Sequence, residues 1–353
     1  MDFFALPNAT DSGLLQSVED LNWSGTLLLD VRSPAEFAQA HLPGAINLPL
    51  LSDEERARVG RCYKQEGRNA AVILGLHLVG ARLGDLAEAA IEHCRGFDSV
   101  VVYCWRGGER SASMMWLLHK VGLPVRQLHG GYKRFRSWVH TMLQRPQKLQ
   151  VLGGYTGSGK TEVLHELARR GQQVVDLEGL ACHRGSAFGG LGGQPRPEMF
   201  ENVLARRWAE LDPQMPTWIE DESRSIGSVF LPESIWTQLR AAPLVFLDIP
   251  RQQRVKYLLQ QYAVGPAVEE CLGRIHKRLG GQRYQKALQA ARQGGWTEVA
   301  ETVLEYYDST YAYGKSQRPP ERVYSLTQPS VEVARCADVL LADLAVRQQG
   351  DNH

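Results

Sequence analysis

Gly154 to Thr161 reads GYTGSGKT, a full G-x4-G-K-T phosphate loop, with the apolar run LQVLGG leading into it and the helical stretch TEVLHELARRG following. No other feature constrains the folding of this chain as tightly. Glycines let the backbone wrap phosphate oxygens without Cβ clashes, and the start of a helix adds N–H donors and a positive dipole end. A strand must deliver such a loop and a helix must leave it, so this region of the chain is an α/β unit on a parallel sheet. Gly154, Gly157 and Gly159 shape the backbone, Lys160 reaches the terminal phosphates, and the Thr161 hydroxyl is placed to hold Mg²⁺. The motif leaves open which diphosphate or triphosphate binds.

A second strand–loop–helix pattern runs from Val100 to Lys120. The apolar VVVYC delivers Cys104 into the loop WRGGER, and SASMMWLLHK continues as a helix. Backbone N–H groups and a helix dipole converging on one spot favour an anion there and lower a thiol pKa. Arg106, Gly107, Gly108 and Arg110 have no packing reason to surround a core cysteine, so Cys104 reads as a thiolate nucleophile beside an anion site.

At 353 residues the chain exceeds one typical hydrophobic core. The polar, proline-containing QRPQK divides it into 1–144, which carries the thiol loop, and 145–353, which carries the phosphate loop and a basic helical region. Six cysteines without paired metal-ligand spacing suggest reduced thiols and a cytoplasmic setting. The N-terminus lacks a basic segment followed by an apolar one, and no run is read as spanning a membrane. The sequons at Asn8 and Asn22 are then chance.

Within 1–144, Leu27–Val31 reads as a strand ending near Asp30, and 52–94 as helical, including AAVILGLHLVG, where alanine and leucine dominate. Within 145–353 a pair of strands end in acids, TWIEDES and LVFLDIP; Asp221 in the first is the preferred second Mg²⁺ ligand over Asp248. The glycine-rich stretch between the phosphate loop and TWIEDES carries His183 and Arg184 and fits a lid over a bound phosphate. Phe200, Leu204, Trp208 and Leu211 fall at helical spacing and read as core. Beyond Gln282 the chain is helical, with Trp296, Val299, Val303 and Tyr307 on one face, then a strand at Val323–Leu326 and a helix at Val331–Val346.

DVRSPAEFAQAHLPGAINLP, the cysteine loop and the closing HGGY resemble a rhodanese domain, whose cysteine carries sulfur or selenium as a persulfide or selenosulfide. From Cys104 to Arg110 the loop reads C-x5-R, one residue longer than usual in single-domain sulfurtransferases and like that of rhodanese-fold phosphatases. With CWRGGERS, HGGYKRFR, GGYTGSGKT, DLEGLACHRGSAFG and EDESRSIG in this order, the whole chain resembles the bacterial tRNA 2-selenouridine synthases. That resemblance implies a rhodanese-like parallel-sheet domain followed by a P-loop NTPase-like α/β domain with a helical C-terminal part. It further implies conversion of 2-thiouridine at the tRNA wobble position to 2-selenouridine, with selenophosphate as selenium donor and an S-geranylated intermediate made from geranyl diphosphate. By it Cys104 serves the selenium step, and the P-loop is expected to bind a diphosphate.

Charge offers an independent line. Net charge is only +1, yet six Lys or Arg and no acids lie between Arg126 and Lys148, and nine against Glu269 and Glu270 between Arg251 and Arg292. Tyr132, Tyr257, Tyr262 and Tyr284 are interleaved as stacking candidates, a pattern suited to tRNA, here its anticodon region. The alternative from another class is a rhodanese-fold phosphatase or a P-loop kinase; for the former, Glu109 is the only carboxylate within the loop to act as acid.

Overall fold

Parallel strands joined by helices build two sheets in this computed structural model, which describes residues 15–183, 193–261 and 267–350. The chain divides into two compact units, Met1–Met142 with Glu198–Arg206, and Leu143–Pro197 with Arg207–His353. The short stretch Glu198–Arg206 therefore groups with the first unit although it follows the phosphate loop in sequence.

In the first unit the strands are β1 (Leu15–Gln16), β2 (Thr26–Asp30), β3 (Ile46–Asn47), β4 (Ser99–Tyr103) and β5 (Val125–Leu128), in the order β1-β5-β4-β2-β3. All their pairings are parallel. The helices are α1 (Pro34–Gln39), α2 (Asp53–Glu66), α3 (Arg68–Val79), α4 (Leu83–His93), α5 (Glu109–Lys120) and α6 (Gly131–Gln144). β2 and β4 are buried along nearly their whole length, as expected of strands covered on both faces. AAVILGLHLVG is indeed helical. Ser52 starts α2 with a capping box, its hydroxyl accepting from the Glu55 N–H while the Glu55 carboxylate accepts from the Ser52 N–H.

By length and composition the helical run Arg68–His93 is long and apolar enough to cross a membrane, with a mean hydropathy of 1.5. The alanines and leucines of α3 and α4, read end to end, supply it. Val79, Ala87 and Ala90 of this run pack into the first unit's core.

The second unit holds β6 (Lys148–Gly154), β7 (Gln173–Val175), β8 (Pro216–Glu220), the hairpin of β9 (Ser225–Ile226) and β10 (Val229–Phe230), β11 (Leu244–Asp248) and β12 (Val323–Thr327). Its five-stranded parallel sheet has the order β12-β11-β6-β8-β7. Helices α7 (Lys160–Arg169), α8 (Leu177–Leu180), α10 (Glu233–Ala241) and α11 (Arg251–Gln261) lie along the chain, while most of α9 (Pro197–Ala209) groups with the first unit. They are followed by α12 (Ala267–Leu279), α13 (Gly281–Arg292), α14 (Trp296–Ser316) and α15 (Val333–Gly350). Phe200, Leu204, Trp208 and Leu211 are buried. Val299 and Val303 join Leu272, Ile275 and the alanines of α13 in a separate helical core, with Trp296 and Tyr307 packed against it.

Candidate functional site

Cys104 follows β4 and lies beneath the first turn of α5. Its Sγ accepts from the Gly108 N–H at 3.3 Å and from the Ser111 hydroxyl at 3.1 Å. Gln127 on β5 donates to the Ser111 oxygen at 2.6 Å, which fixes that hydroxyl. Burial by itself would raise the thiol pKa. The Ser111 hydroxyl and the N–H groups of Ser111, Gly108 and Arg106 outweigh it and bring Cys104 below the ordinary thiol range.

The HGGY segment explains how the loop is held. Tyr132 N–H donates to the Cys104 carbonyl at 2.9 Å, and Lys133 N–H to that of Trp105 at 2.8 Å. Gly131, at φ +58°, touches the thiol loop so closely that a Cβ would collide with the Cys104 carbonyl. Beneath it, Asp30 takes Arg32 in a buried ion pair of 2.6 Å, and the Arg32 guanidinium lies 4.0 Å from the Tyr132 ring centre. Asp30 thus fixes the Arg32 side chain that packs on Tyr132.

The two loop arginines are not equivalent. Arg106 is exposed and contributes its backbone N–H to the thiol. Arg110 is half-buried and paired with Glu36 at 2.7 Å. The charge expected to reinforce the cradle is therefore largely neutralised at Arg110, and N–H groups with a hydroxyl do the stabilising. No carboxylate hydrogen-bonds the thiol among the described residues; Glu109 is exposed and pairs with Arg68. Ser111 and Gln127 escaped the sequence reading because nothing in their spacing marks them: one is a helix residue, the other sits on a neighbouring strand.

Beside the loop lies a polar hollow of about 400 Å³ lined by Arg32, Glu36, Arg56, Trp105, Tyr132 and Glu198, among others. Trp105, directly after the thiol, is 42% exposed at this hollow and lies tilted against the Tyr132 ring, with centroids 5.7 Å apart.

In the second unit Gly157 and Gly159 turn the loop at positive φ, and Lys160 Nζ donates to the Gly154 carbonyl at 3.0 Å. The Thr161 hydroxyl donates to Glu178 Oε2 at 3.2 Å. Around it gather Glu220, whose Oε2 accepts from the N–H groups of Leu177 and Glu178, and Glu222. Burial, then the neighbouring acids, push both carboxyls well above the usual range; Lys160 offsets this in part at Glu222. Oε1 of each is buried without a hydrogen-bond partner in the protein.

Here the acidic assignment changes. Asp221 is occupied by Arg318 at 2.7 Å, with that arginine almost fully buried, while Glu178 is the carboxylate that meets Thr161. Side chains alternate across a strand end, so Asp221 points away from the neighbours of Glu220 and Glu222. Glu178 sits in the short helix α8 after β7, not at a strand end of the kind that drew attention to EDE. Asp248 is half-buried at the end of β11. His183 ends the turn after α8, its N–H donating to the Glu178 carbonyl at 3.0 Å. Arg184, the other half of the expected lid, lies outside the described residues.

The basic stretches are also altered by folding. Arg251 and Arg254 pair with Asp308, Arg274 with Glu270, Arg283 with Glu305, Lys286 with Glu298 and Arg292 with Glu269. Arg134 pairs with Glu19, Arg136 with Glu201, and Tyr132 is buried. These acids, several of them outside the basic stretches, neutralise much of the charge that seemed concentrated; Lys256, Lys277 and Arg278 are exposed. Tyr262 lies outside the described residues.

A thiol in an N–H cradle on one parallel sheet and a phosphate loop on another define a rhodanese-like domain joined to a P-loop-like domain. Residues 14–137 match the family model of the rhodanese-like domain, and residues 147–338 that of the tRNA 2-selenouridine synthase AAA domain. The tRNA 2-selenouridine synthase of Cupriavidus pinatubonensis is 37% identical over 85% of this chain and 92% of its own length. That of Cupriavidus necator is 38% identical over 85% and 91%, and that of a Sulfurovum species 39% over 82% and 89%. The chain belongs to the tRNA 2-selenouridine synthase family.

Proposed function

We propose that this protein replaces the C2 sulfur of 2-thiouridine at the tRNA wobble position by selenium, using selenophosphate and passing through an S-geranylated intermediate made from geranyl diphosphate. The observation that carries the reading is the Cys104 thiol, held below its ordinary pKa by Ser111 and loop N–H groups, in a chain that also bears a complete phosphate loop.

In the first step the C2 sulfur attacks C1 of the geranyl chain. A C–S bond forms, the C–O bond breaks, diphosphate leaves with the electron pair, and the uridine N3 proton is released. Alkylation converts a poor leaving group into a thiolate. Selenium of selenophosphate, its phosphate oxygens held by the N–H groups of the thiol loop, then adds to C2, and geranyl thiolate departs as the thiol after taking a proton. Cys104 attacks phosphorus, so an S–P bond forms as P–Se breaks and selenium stays on C2; water then frees phosphate. This route needs no oxidant, whereas a selenosulfide on Cys104 drawn from selenophosphate would need one. Gly107, Gly108 and the Arg106 N–H line the anion site, with Arg110 held beside it by Glu36.

Lys160, with Gly154, Gly157 and Gly159, binds phosphate groups in the second unit. Unpartnered oxygens of Glu220 and Glu222 next to Thr161 and Glu178 suit a divalent cation. Among the described residues no three His, Cys, Asp or Glu side chains are arranged to hold a metal ion by themselves, so a Mg²⁺ there would rely on Thr161, one of these carboxylates and the phosphates. A tRNA substrate places the activity in the cytoplasm.

The test is mass spectrometry of nucleosides from 2-thiouridine tRNA incubated with geranyl diphosphate and selenophosphate. Selenouridine with the intact protein and geranylated thiouridine with Cys104→Ser are expected. Unmodified 2-thiouridine from the intact protein would sink the reading.

A further inference from the structure

Beside the thiol loop, the polar hollow of about 400 Å³ falls within the usual size of a small-molecule site, roughly 300–1,000 Å³. Its charged lining excludes one kind of occupant. Arg32 and Arg56 stand against Glu36, Asp53 and Glu198, and Arg32 is already paired with Asp30. A free phosphate or diphosphate would meet more negative charge than positive there. An uncharged, planar group that can hydrogen-bond would not.

The aromatic corner of the hollow is fixed from several sides. Lys133 N–H holds the Trp105 carbonyl at 2.8 Å. Tyr132 is buried against the Arg32 guanidinium, and its hydroxyl accepts from Asn202 at 3.0 Å and donates to Glu198 Oε1 at 2.6 Å. Trp105 leans on this immobile ring and is still exposed. A large ring held in place but left uncovered is a stacking platform, because every nucleobase offers it a π-face.

Glu198 enters the hollow from the first turn of α9, which Pro197 starts. Tyr132 takes its Oε1, Arg136 Nε lies 3.9 Å from the same oxygen, and Oε2 has no hydrogen-bond partner among the described residues. The other two acids are committed: Glu36 to Arg110, and Asp53 to the Ala35 N–H at 3.0 Å. Arg56 is exposed and meets Glu36 only at 3.6 Å, a contact that an RNA phosphate can displace.

Chemistry at C2 of a base requires that base outside its stack, and in a single-stranded anticodon loop the extrusion costs little. We propose that the hollow receives the extruded wobble pyrimidine: its ring stacks on Trp105, its N3–H donates to Glu198 Oε2, and its phosphate meets Arg56. The proposal rests on the wobble-uridine reading above and adds the residues that hold that base. Trp105 follows Cys104 directly in the chain, so a base stacked on it brings C2 to the thiol loop.

The experiment irradiates the full chain in the near ultraviolet with an anticodon stem-loop carrying 5-iodouridine at the wobble position, which loses HI as it joins an aromatic ring stacked on it. Peptides are mapped, and 2-thiouridine tRNA is assayed alongside for 2-selenouridine. An adduct on Trp105 supports the hollow. An adduct only elsewhere, or none, while 2-selenouridine still forms, overturns it and leaves the functional reading standing; no 2-selenouridine from the intact protein overturns both. Trp105→Ala should raise KM for tRNA by ~10–100-fold, and Trp105→Phe should recover most of that loss. The pH profile of Cys104 alkylation should stay in place in both variants. An unchanged KM, or a shifted profile that marks Trp105 as a mere support of the loop, overturns the stacking role. A stem-loop with 3-methyl-2-thiouridine, which lacks the N3–H, should bind the intact protein ~tenfold more weakly than its 2-thiouridine counterpart, and Glu198→Ala should erase the difference. Equal binding by the intact protein, or a difference that survives in Glu198→Ala, overturns the Glu198 contact.

Discussion

Cys104 and Lys160 stand in two loops of the same construction, each entered from a central parallel strand, turned by glycines at positive φ and left through the N-terminus of a helix. Both backbones present N–H groups to an anion. What differs is the company. Around Cys104 the partners are N–H groups, a serine hydroxyl and an arginine already paired with Glu36. Around Lys160 they are Glu178, Glu220 and Glu222, two of them buried. One cradle lowers the pKa of a thiol that belongs to the protein, while the other sets a lysine among carboxylates. The lesson is that the loop backbone selects charge sign, and the side chains one strand or one helix away select the chemistry.

Exchange of the nucleophile is the sharpest way to break this contrast. Cys104→Ser should lower selenouridine formation by ~10³-fold or more while the prenylated nucleoside still accumulates, read by nucleoside mass spectrometry. If selenation persists, the first cradle is an anion site without a nucleophile and the contrast collapses. Lys160→Ala should weaken nucleotide or diphosphate binding to the second unit by about 10²–10³-fold in calorimetry and leave alkylation of Cys104 by iodoacetamide unchanged. Gly131→Ala, which drives a methyl group into the Cys104 carbonyl and strains a left-handed residue, should destabilise the first unit by ~2–4 kcal/mol in denaturant unfolding.

Smaller changes sharpen the comparison. Ser111→Ala removes a hydrogen bond to the thiolate, so the Cys104 pKa should rise by roughly one unit or more in the pH profile of alkylation. The buried acids give the opposite cradle a pH signature. Because Glu220 and Glu222 have raised pKa values when folded, the native state holds more protons than the unfolded chain above pH 4.5. Their protonated forms therefore stabilise the second unit fully below that pH, and this stability is lost as pH rises through the folded pKa values. Glu222→Gln should flatten that decline and raise Tm at pH 8 by a few °C, about 2–4 °C per kcal/mol for a unit of this size. A Tm that rises with pH in the intact protein would contradict it.

Much of the fold could be read along the chain because local rules suffice for it. Apolar runs ending in glycine loops mark β4 and β6, and the strand expected at Val323–Leu326 forms as β12. Cys104, Lys160 and Thr161 announce themselves because their chemistry depends on the few residues beside them. Ser111, Gln127 and Glu178 do not, since each makes its hydrogen bond across a gap of 7 to 17 residues with no shared motif.

By itself, then, the sequence determined the two strand–loop–helix units and the residues that must sit in them, because glycine positions, helix starts and strand ends are local properties of a chain. Tertiary structure alone decided how charge is spent. It set Arg110 against Glu36, gave Asp221 to Arg318 and left Glu178 to Thr161, and it paired the basic helices with α14. It also left an apolar groove lined from α2, α3, α4 and α5, with Gly75 and Gly80 in its wall. Charges and cavities depend on which surfaces meet in space, and distance in space is what a linear pattern does not record.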